Sequence, residues 1–351
     1  MKDNMKRPLD IAIVGIALKM PGCDDLNGLW NELSAGRDSI TRRNFYRSRD
    51  SVRSAYGSVE DLFGFDNGFF GISEAEVMHI CPADRWMLQT AYHALEDACI
   101  VPGKTDDRIG IVCGSGFNEY QVRYMVHSRS EKSVSDAMFS GAGTATRTAY
   151  KLDLTGPCVY ALSACSTSLT TVQLACKYLR DGEADVMLAG GATMNPQQEY
   201  YSYMSGVMSE DTYTRAFDEK ASGFVPGNGC AAVVLKRLED AERDGDHIYS
   251  VIKAVSIGND GSRNASFTAP SLPGEYEVIK SALEASGVDI NDIDYIETHG
   301  TATAIGDAIE AEALRKAFAD ADASKKIPIG SIKNNMGHLD AAAGVAGLHK
   351  N

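Results

Sequence analysis

The chain has 351 residues, 44 % of them hydrophobic and 23 % charged, enough to bury one large core or two fused ones. Its formal net charge of −14 argues against a general nucleic-acid binder, because phosphates would be repelled over most of the surface. The eight cysteines include no Cys-x-x-Cys pair and no zinc-cluster spacing, so no metal is expected, and reduced thiols point to the cytoplasm.

Along the chain, apolar runs of strand length alternate with helical patterns, the mark of an α/β fold on largely parallel sheets. The first run, 11–18, follows Lys2, Lys6 and Arg7, but Asp10 precedes it and Lys19 ends it. Eight residues cannot span a bilayer, so a buried strand over 11–17 and no membrane span are expected. Residues 34–75 read as irregular. Met87, Leu88, Ala91, Leu95 and Ala98 then recur at helical spacing, as do Leu169, Val172, Cys176 and Leu179. Strands are expected at 109–113, 158–164, 186–189 and 231–235, with a second irregular stretch at 193–228.

A second block starts near Ile248. It reads as a strand at 248–257, a helix at 274–286, a strand at 293–298, a helix at 305–318, a strand at 327–332 and a small-residue helix from Ala341. No Pro/Ser/Gly-rich linker separates the blocks, so they are taken as two halves of one domain, 1–247 and 248–351. Irregular stretches as long as 34–75 and 193–228 are usually lids, interface segments or insertions.

Three segments carry chemistry, each where a buried strand runs into a polar turn, the place where open α/β sheets bind ligands. In Ala161-Leu-Ser-Ala-Cys165-Ser-Thr-Ser-Leu169 a cysteine stands at a helix entrance. Unpaired N–H groups and the helix dipole there favour a thiolate and can receive an oxyanion. The alternative is a small buried core residue. In Glu297-Thr-His299-Gly-Thr301-Ala-Thr303-Ala-Ile-Gly-Asp307 a histidine able to exchange protons near neutral pH is flanked by hydroxyls, with Glu310 on the helix that follows. Alone, His299 reads better as a structural histidine, and its company changes that. In Lys333-Asn-Asn-Met-Gly-His338 a strand end delivers a lysine and a second histidine, or else a solvated cation and a helix cap.

Together these residues resemble the ketosynthase (β-ketoacyl synthase) domain of modular polyketide synthases, in the thiolase-like superfamily. Ala164-Cys165-Ser-Thr-Ser-Leu169 is similar to the nucleophile motif, His299-Gly-Thr-Ala-Thr303 with Gly306-Asp307 to the first histidine motif, and Lys333 to His338 to the second. The segments 11–15, 68–73, 94–98, 189–191 and 216–218 match as well. The resemblance implies a layered αβαβα fold of two duplicated half-domains.

It also implies a transferase of the acyltransferase class, at work in polyketide or fatty acid biosynthesis. Cys165 would carry the acyl group, and His299 and His338 would promote decarboxylation of a malonyl-type extender. Lys333, paired with Glu310, would hold that cluster, and Thr301 and Thr303 would grip pantetheine amides. No cofactor is expected to be bound, since substrates ride on the phosphopantetheine of an acyl carrier protein. No Gly-His-Ser-x-Gly acyltransferase motif and no carrier-type Asp-Ser-Leu occur in the chain, so carrier and acyltransferase are expected in trans, with a homodimer as the assembly.

Family members have glycine where Ala302 stands, so a position needing positive φ would be strained there. Measured against the family pattern, the chain ends early at Asn351. A missing C-terminal part, an incomplete second half and another polypeptide completing it are therefore expected, with an inactive scaffold, or acyl transfer without condensation, as alternatives. Arg42, Arg43, Arg47, Arg49 and Arg53, opposed by Asp50, form a basic cluster that would meet a carrier or its phosphate, or else a solvated insertion.

Overall fold

The computed structural model describes residues 10–43, 52–117, 120, 122, 140–202, 206–264 and 269–350. Strand β1 (Ile11–Lys19) is apolar on both faces and lies inside a six-stranded sheet. Its other members are β2 (Ile109–Ser115), β3 (Cys158–Tyr160), β4 (Val186–Thr193), β5 (Gly229–Arg237) and β6 (Ser250–Ile252). Their order is β6-β1-β5-β4-β2-β3. The strands β4, β2 and β3 are parallel, as the alternating pattern predicts, but β5 runs antiparallel to both β1 and β4, and β6 antiparallel to β1. A strand buried on both faces carries no alternation to reveal its direction.

Alternate residues of β1 divide the core in two. Ala12 and Val14 join Trp86, Met87 and Ala91 of helix α1 (Pro82–Asp97). Ile11 and Ile13 join the cluster that holds Val172, Cys176 and Leu179 of helix α3 (Thr167–Arg180). Helix α2 (Ser140–Lys151) lies beside α1. Gly15 sits where a Cβ would come within 2.4 Å of the Ala94 carbonyl, so only glycine lets β1 and α1 pack this closely.

The second half contains helix α4 (Leu272–Ser286) packed on α5 (Ala304–Ala317), and strands β7 (Ile296–Glu297) and β8 (Ile329–Gly330), which pair in parallel. The last helix, α6 (Ala343–Lys350), was expected to belong to an incomplete half. Instead it packs into the core of the first half. Ala343, Val345 and Ala346 are buried, the Val345 N–H donates to Ser168 Oγ at 3.0 Å, and Lys350 pairs with Glu297 at 2.7 Å. Small residues make this possible, since a Cβ at Gly344 would meet Leu169 at 2.5 Å.

Both irregular stretches build walls of one region. Val52 and Arg53 pair with Tyr201 and Tyr200, Arg42 donates to the Thr212 carbonyl at 3.0 Å and lies over the Tyr213 ring at 4.0 Å, and Arg53 donates to the Glu210 carbonyl. These two arginines of the basic cluster therefore hold the 209–215 loop. Arg47 and Arg49 lie outside the described residues.

Asp84 on α1 is a charge-bearing group in the core, 5 % exposed, with Thr144 Oγ1 donating to it at 2.5 Å. Burial pushes its carboxyl up from the ordinary 3.8 to about 6, against the opposing pull of Thr144, Arg147 and Arg85. The folded value lies above the unfolded one, so the native state holds the extra proton between them, and stability falls as pH rises through that window. Asp84→Asn, which keeps the Thr144 hydrogen bond, is expected to stabilise the protein by on the order of 2 kcal/mol at about pH 7.5 and to lose that advantage near pH 4. Urea unfolding of both proteins at the two pH values measures it.

Candidate active site

Cys165 lies one residue before Ser166, the N-cap of α3. The turn that brings it there is strained: Ala164 has φ 53°, a left-handed conformation that costs a residue with a Cβ roughly 1 kcal/mol. Thr167 Oγ1 donates back to the Ala164 carbonyl and accepts from the Ser163 N–H, which holds the turn shut.

His299 follows β7, and Lys333 and His338 follow β8. The Sγ of Cys165 is 3.9 Å from Nε2 of His299. One ring nitrogen from each histidine and the sulfur all lie within 4.8 Å of one another, with the rings nearly perpendicular at 5.7 Å between centroids. Residues from three distant segments thus converge on one point. His338 is held by the second irregular stretch, its N–H donating to the Val225 carbonyl at 2.8 Å and its ring lying 4.6 Å from that of Phe224.

Glu310 does not pair with Lys333 in the expected way. Its two oxygens accept the backbone N–H groups of His299 at 2.6 Å and Gly300 at 2.8 Å, fixing the turn that carries the histidine. Lys333, 4 % exposed, feels the charges of Glu297, Glu310, Cys165 and Asp307 without a direct hydrogen bond to any of them, and burial lowers its pKa. Thr301 and Thr303 lie side by side, hydroxyl to hydroxyl at 3.2 Å. Ala302 between them has φ 57° and is fully buried, so the strain expected of an alanine there is present.

The electrostatics differ from the helix-end expectation. Lost hydration raises the Cys165 thiol above its ordinary value, and the Asp340 carboxylate adds to this; Lys333 and the local N–H groups pull it down. His299, open to solvent at the mouth but otherwise surrounded by protein, is pushed down to about 4 by lost hydration and then by Lys333. His338 falls well below its ordinary value through burial, Lys333 and His299. Both imidazoles are therefore neutral at pH 7.

Sequence reading placed Asp307 in the first histidine motif without a partner, and passed over Asp340. Asp307 is buried and accepts the N–H of Phe217, itself at φ 61°, which ties the irregular 209–224 loop to α5. Asp340, two residues beyond His338, donates its N–H to Nδ1 of that ring at 2.9 Å. The short distance in sequence was the only signal for Asp340.

An α/β fold that brings a thiol and two neutral histidines together is the setting of an acyl-transferring enzyme class. The family model described as "Beta-ketoacyl synthase, N-terminal domain" matches residues 9–241, and "Beta-ketoacyl synthase, C-terminal domain" matches 249–351. The chain belongs to the β-ketoacyl synthase family and is a ketosynthase-type condensing enzyme with the thiolase-like fold.

It is 36 % identical to a phenolphthiocerol/phthiocerol polyketide synthase protein of Mycobacterium tuberculosis over 97 % of its own length and 25 % of that protein. With polyketide synthase PksN of Bacillus subtilis the identity is 35 %, over 97 % of the chain and 6 % of the relative. Among solved structures, ketosynthase twelve of the bacillaene polyketide synthase of Bacillus amyloliquefaciens superposes with a TM-score of 0.90 at 32 % identity, covering 97 % of this chain and 63 % of that one. The ketosynthase from module 1 of the bacillaene synthase of the same species gives 0.88 at 33 %, over 99 % and 64 %.

The chain thus spans a quarter or less of these two curated relatives and under two thirds of these two solved chains. The expectations of a missing C-terminal part and an incomplete second half are corrected by the match of the C-terminal family model over 249–351 and by superposition over 97–99 % of the chain. The segment judged to be cut short is one whose last helix is seated in the core. No helix among the described residues is long and apolar enough to cross a membrane.

Proposed function

We propose that the chain forms a carbon–carbon bond by decarboxylative Claisen condensation, with Cys165 as the acyl-carrying nucleophile. The observation that carries this reading is the state of His338. Its Nδ1 is occupied by the Asp340 N–H, so in the neutral ring the proton sits on Nε2. A ring so fixed beside a cysteine is a hydrogen-bond donor for an oxygen on which charge develops. The same fact argues against a metal on these three residues, since Nε2 then has no lone pair to offer, and Lys333 would repel the cation.

In the first step Cys165 attacks an acyl thioester on the phosphopantetheine of a carrier protein. Its proton passes by way of His299 Nε2 to the departing pantetheine thiolate. In the second, a carrier-bound malonyl-type extender loses CO₂, and the electron pair left on its α-carbon is stabilised as an enolate by His338, with His299 beside it. That carbon attacks the Cys165 thioester, the new C–C bond forms, and Cys165 leaves as a thiolate that takes up a proton from solvent. Burial, with Lys333 adding to it, keeps both imidazoles unprotonated, which preserves them as neutral donors. Glu310 positions the His299 turn, and Thr301 and Thr303 offer hydroxyls to the pantetheine amides.

A carrier protein and an acyltransferase acting in trans are the partners this chemistry requires. A second copy of the chain suits β3, an open sheet edge with Cys158 exposed. Eight free cysteines suit the reducing cytoplasm.

The reading is tested by incubating the protein with a short acyl-pantetheine thioester and mapping the added mass. Acyl on Cys165, followed by CO₂ release and a β-ketoacyl product when malonyl-pantetheine is added, is the expected result. Acyl on another cysteine, or on none, would sink it.

A further inference from the structure

We propose that Glu297 is a positioning residue for the condensing centre: its carboxylate clamps the strand that leads to His299 onto the turn that carries Lys333, with Lys350 on α6 as its fixed counter-ion. The proposal rests on the condensation reading above, and it adds to the cysteine, the histidines and the lysine a residue that acts only through them.

The Glu297 side chain is 8 % exposed, and both of its oxygens are engaged. Oε1 accepts the N–H of Ile332, the residue directly before Lys333, at 2.6 Å. Oε2 accepts from Lys350 Nζ and from the Tyr295 hydroxyl, both at 2.7 Å. A carboxylate this enclosed needs a cation beside it, and Lys350 supplies one. Gly347, one turn back on α6, lets the helix close over the pair, since a Cβ there would come within 3.2 Å of Glu297 Cγ.

Glu297 stands two residues before His299, so its bond to Ile332 fixes one catalytic segment against the other. Further hydrogen bonds join the same segments, from the Thr298 N–H and hydroxyl to the Gly330 carbonyl and from the Ser331 hydroxyl to the Gly300 carbonyl, but these link neutral groups. The bond to Glu297 has a charged acceptor, which makes it roughly twice as strong as a neutral one, and it lies next to Lys333. Lys333 is 4 % exposed, and among the described residues its ammonium makes no hydrogen bond, so its place follows from the backbone that bears it. The clamp also reaches the thiol's helix. Along α6, the Val345 N–H donates to Ser168 Oγ, three residues past Cys165, while Lys350 in the last turn holds Glu297. One short helix therefore braces all three motifs.

The test separates reach from charge. Glu297→Gln keeps an oxygen within reach of the Ile332 N–H and gives up the charge; Glu297→Asp keeps the charge but is one methylene shorter and draws back from that N–H. CO₂ release from malonyl-pantetheine is followed in both variants, well below the Tm of each. Glu297→Asp is expected to lower kcat by about tenfold to a hundredfold, the cost of misplacing catalytic groups by roughly 1 Å, with KM within about twofold because Thr301 and Thr303 are untouched. Glu297→Gln is expected to keep kcat within about threefold of the unaltered protein. A Glu297→Asp protein with a lower Tm but the original kcat would make Glu297 a stabilising ion pair and nothing more. A Glu297→Gln protein as slow as Glu297→Asp would show that reach to Ile332 is not what counts. Either result overturns the proposal. Failure of the underlying reading is distinct: the unaltered protein would then release no CO₂ from malonyl-pantetheine, and the proposal would fall with it.

Discussion

Cys165→Ala is expected to abolish condensation, lowering product formation by about three orders of magnitude or more, while leaving malonyl decarboxylation measurable. In the proposed reaction the sulfur holds the acyl group, and no other cysteine is placed to substitute. Cys113, Cys176 and Cys230 are buried in the sheet and helix cores, and exposed Cys158 and Cys99 are not among the residues gathered with the histidines. In the proposed reaction decarboxylation draws on His338 and His299, whose positions are set by Val225, Asp340 and Glu310 rather than by the thiol. Alanine at 165 is small enough for the strained turn at Ala164 to persist. The check is to follow CO₂ release from malonyl-pantetheine and β-ketoacyl formation in parallel. Loss of both together would mean that the cysteine and the histidines do not serve separate steps.

The complementary variant, His338→Ala, is expected to give the reverse split. Acyl-Cys165 should still form, because the path from thiol to His299 Nε2 at 3.9 Å is untouched. Decarboxylation should fall by about a hundredfold to a thousandfold, the usual cost of removing one preorganised donor from a developing oxyanion. The ring is fully enclosed, so its loss also leaves a gap beside Phe224 and frees the Asp340 N–H. His338→Gln, which restores an N–H donor of similar reach, separates the two effects: partial recovery of decarboxylation assigns the loss to the missing donor. Transfer of acyl groups without any condensation in the unaltered protein would instead favour a pure acyltransferase.

The site was legible in the sequence because its residues follow strands, and the end of each apolar run is marked by a change to polar residues. Cys165, His299, Lys333 and His338 each follow such a change, and the spacing of the three motifs carried the family resemblance. The strain at Ala302 was also readable, since an alanine in place of the family's glycine has a direct backbone meaning, and its φ of 57° agrees.

What depended on long-range contact was not legible. Residues 193–228 show no periodicity, yet Val225 and Phe224 hold His338, and Phe217 is tied to Asp307. Glu310 reads as a partner for a lysine because opposite charges attract; in the folded chain two backbone N–H groups reach it first. The chain's last residues looked like an interrupted half because position along the sequence says nothing of where a helix packs, and α6 packs on α3.

Residue type and local pattern were enough to set the α/β class and the chemical identity of the thiol, the imidazoles and the lysine, while several strands end two to five residues from where the pattern put them. Packing of the whole chain settled the direction of β5, the neighbours of His338 and the sign of the shift at Cys165, because in each case the deciding groups lie far away in sequence. The helix entrance alone would lower the thiol's pKa, but the burial that raises it, and the carboxylate of Asp340 that adds to it, come into being only when the two halves close around the sulfur.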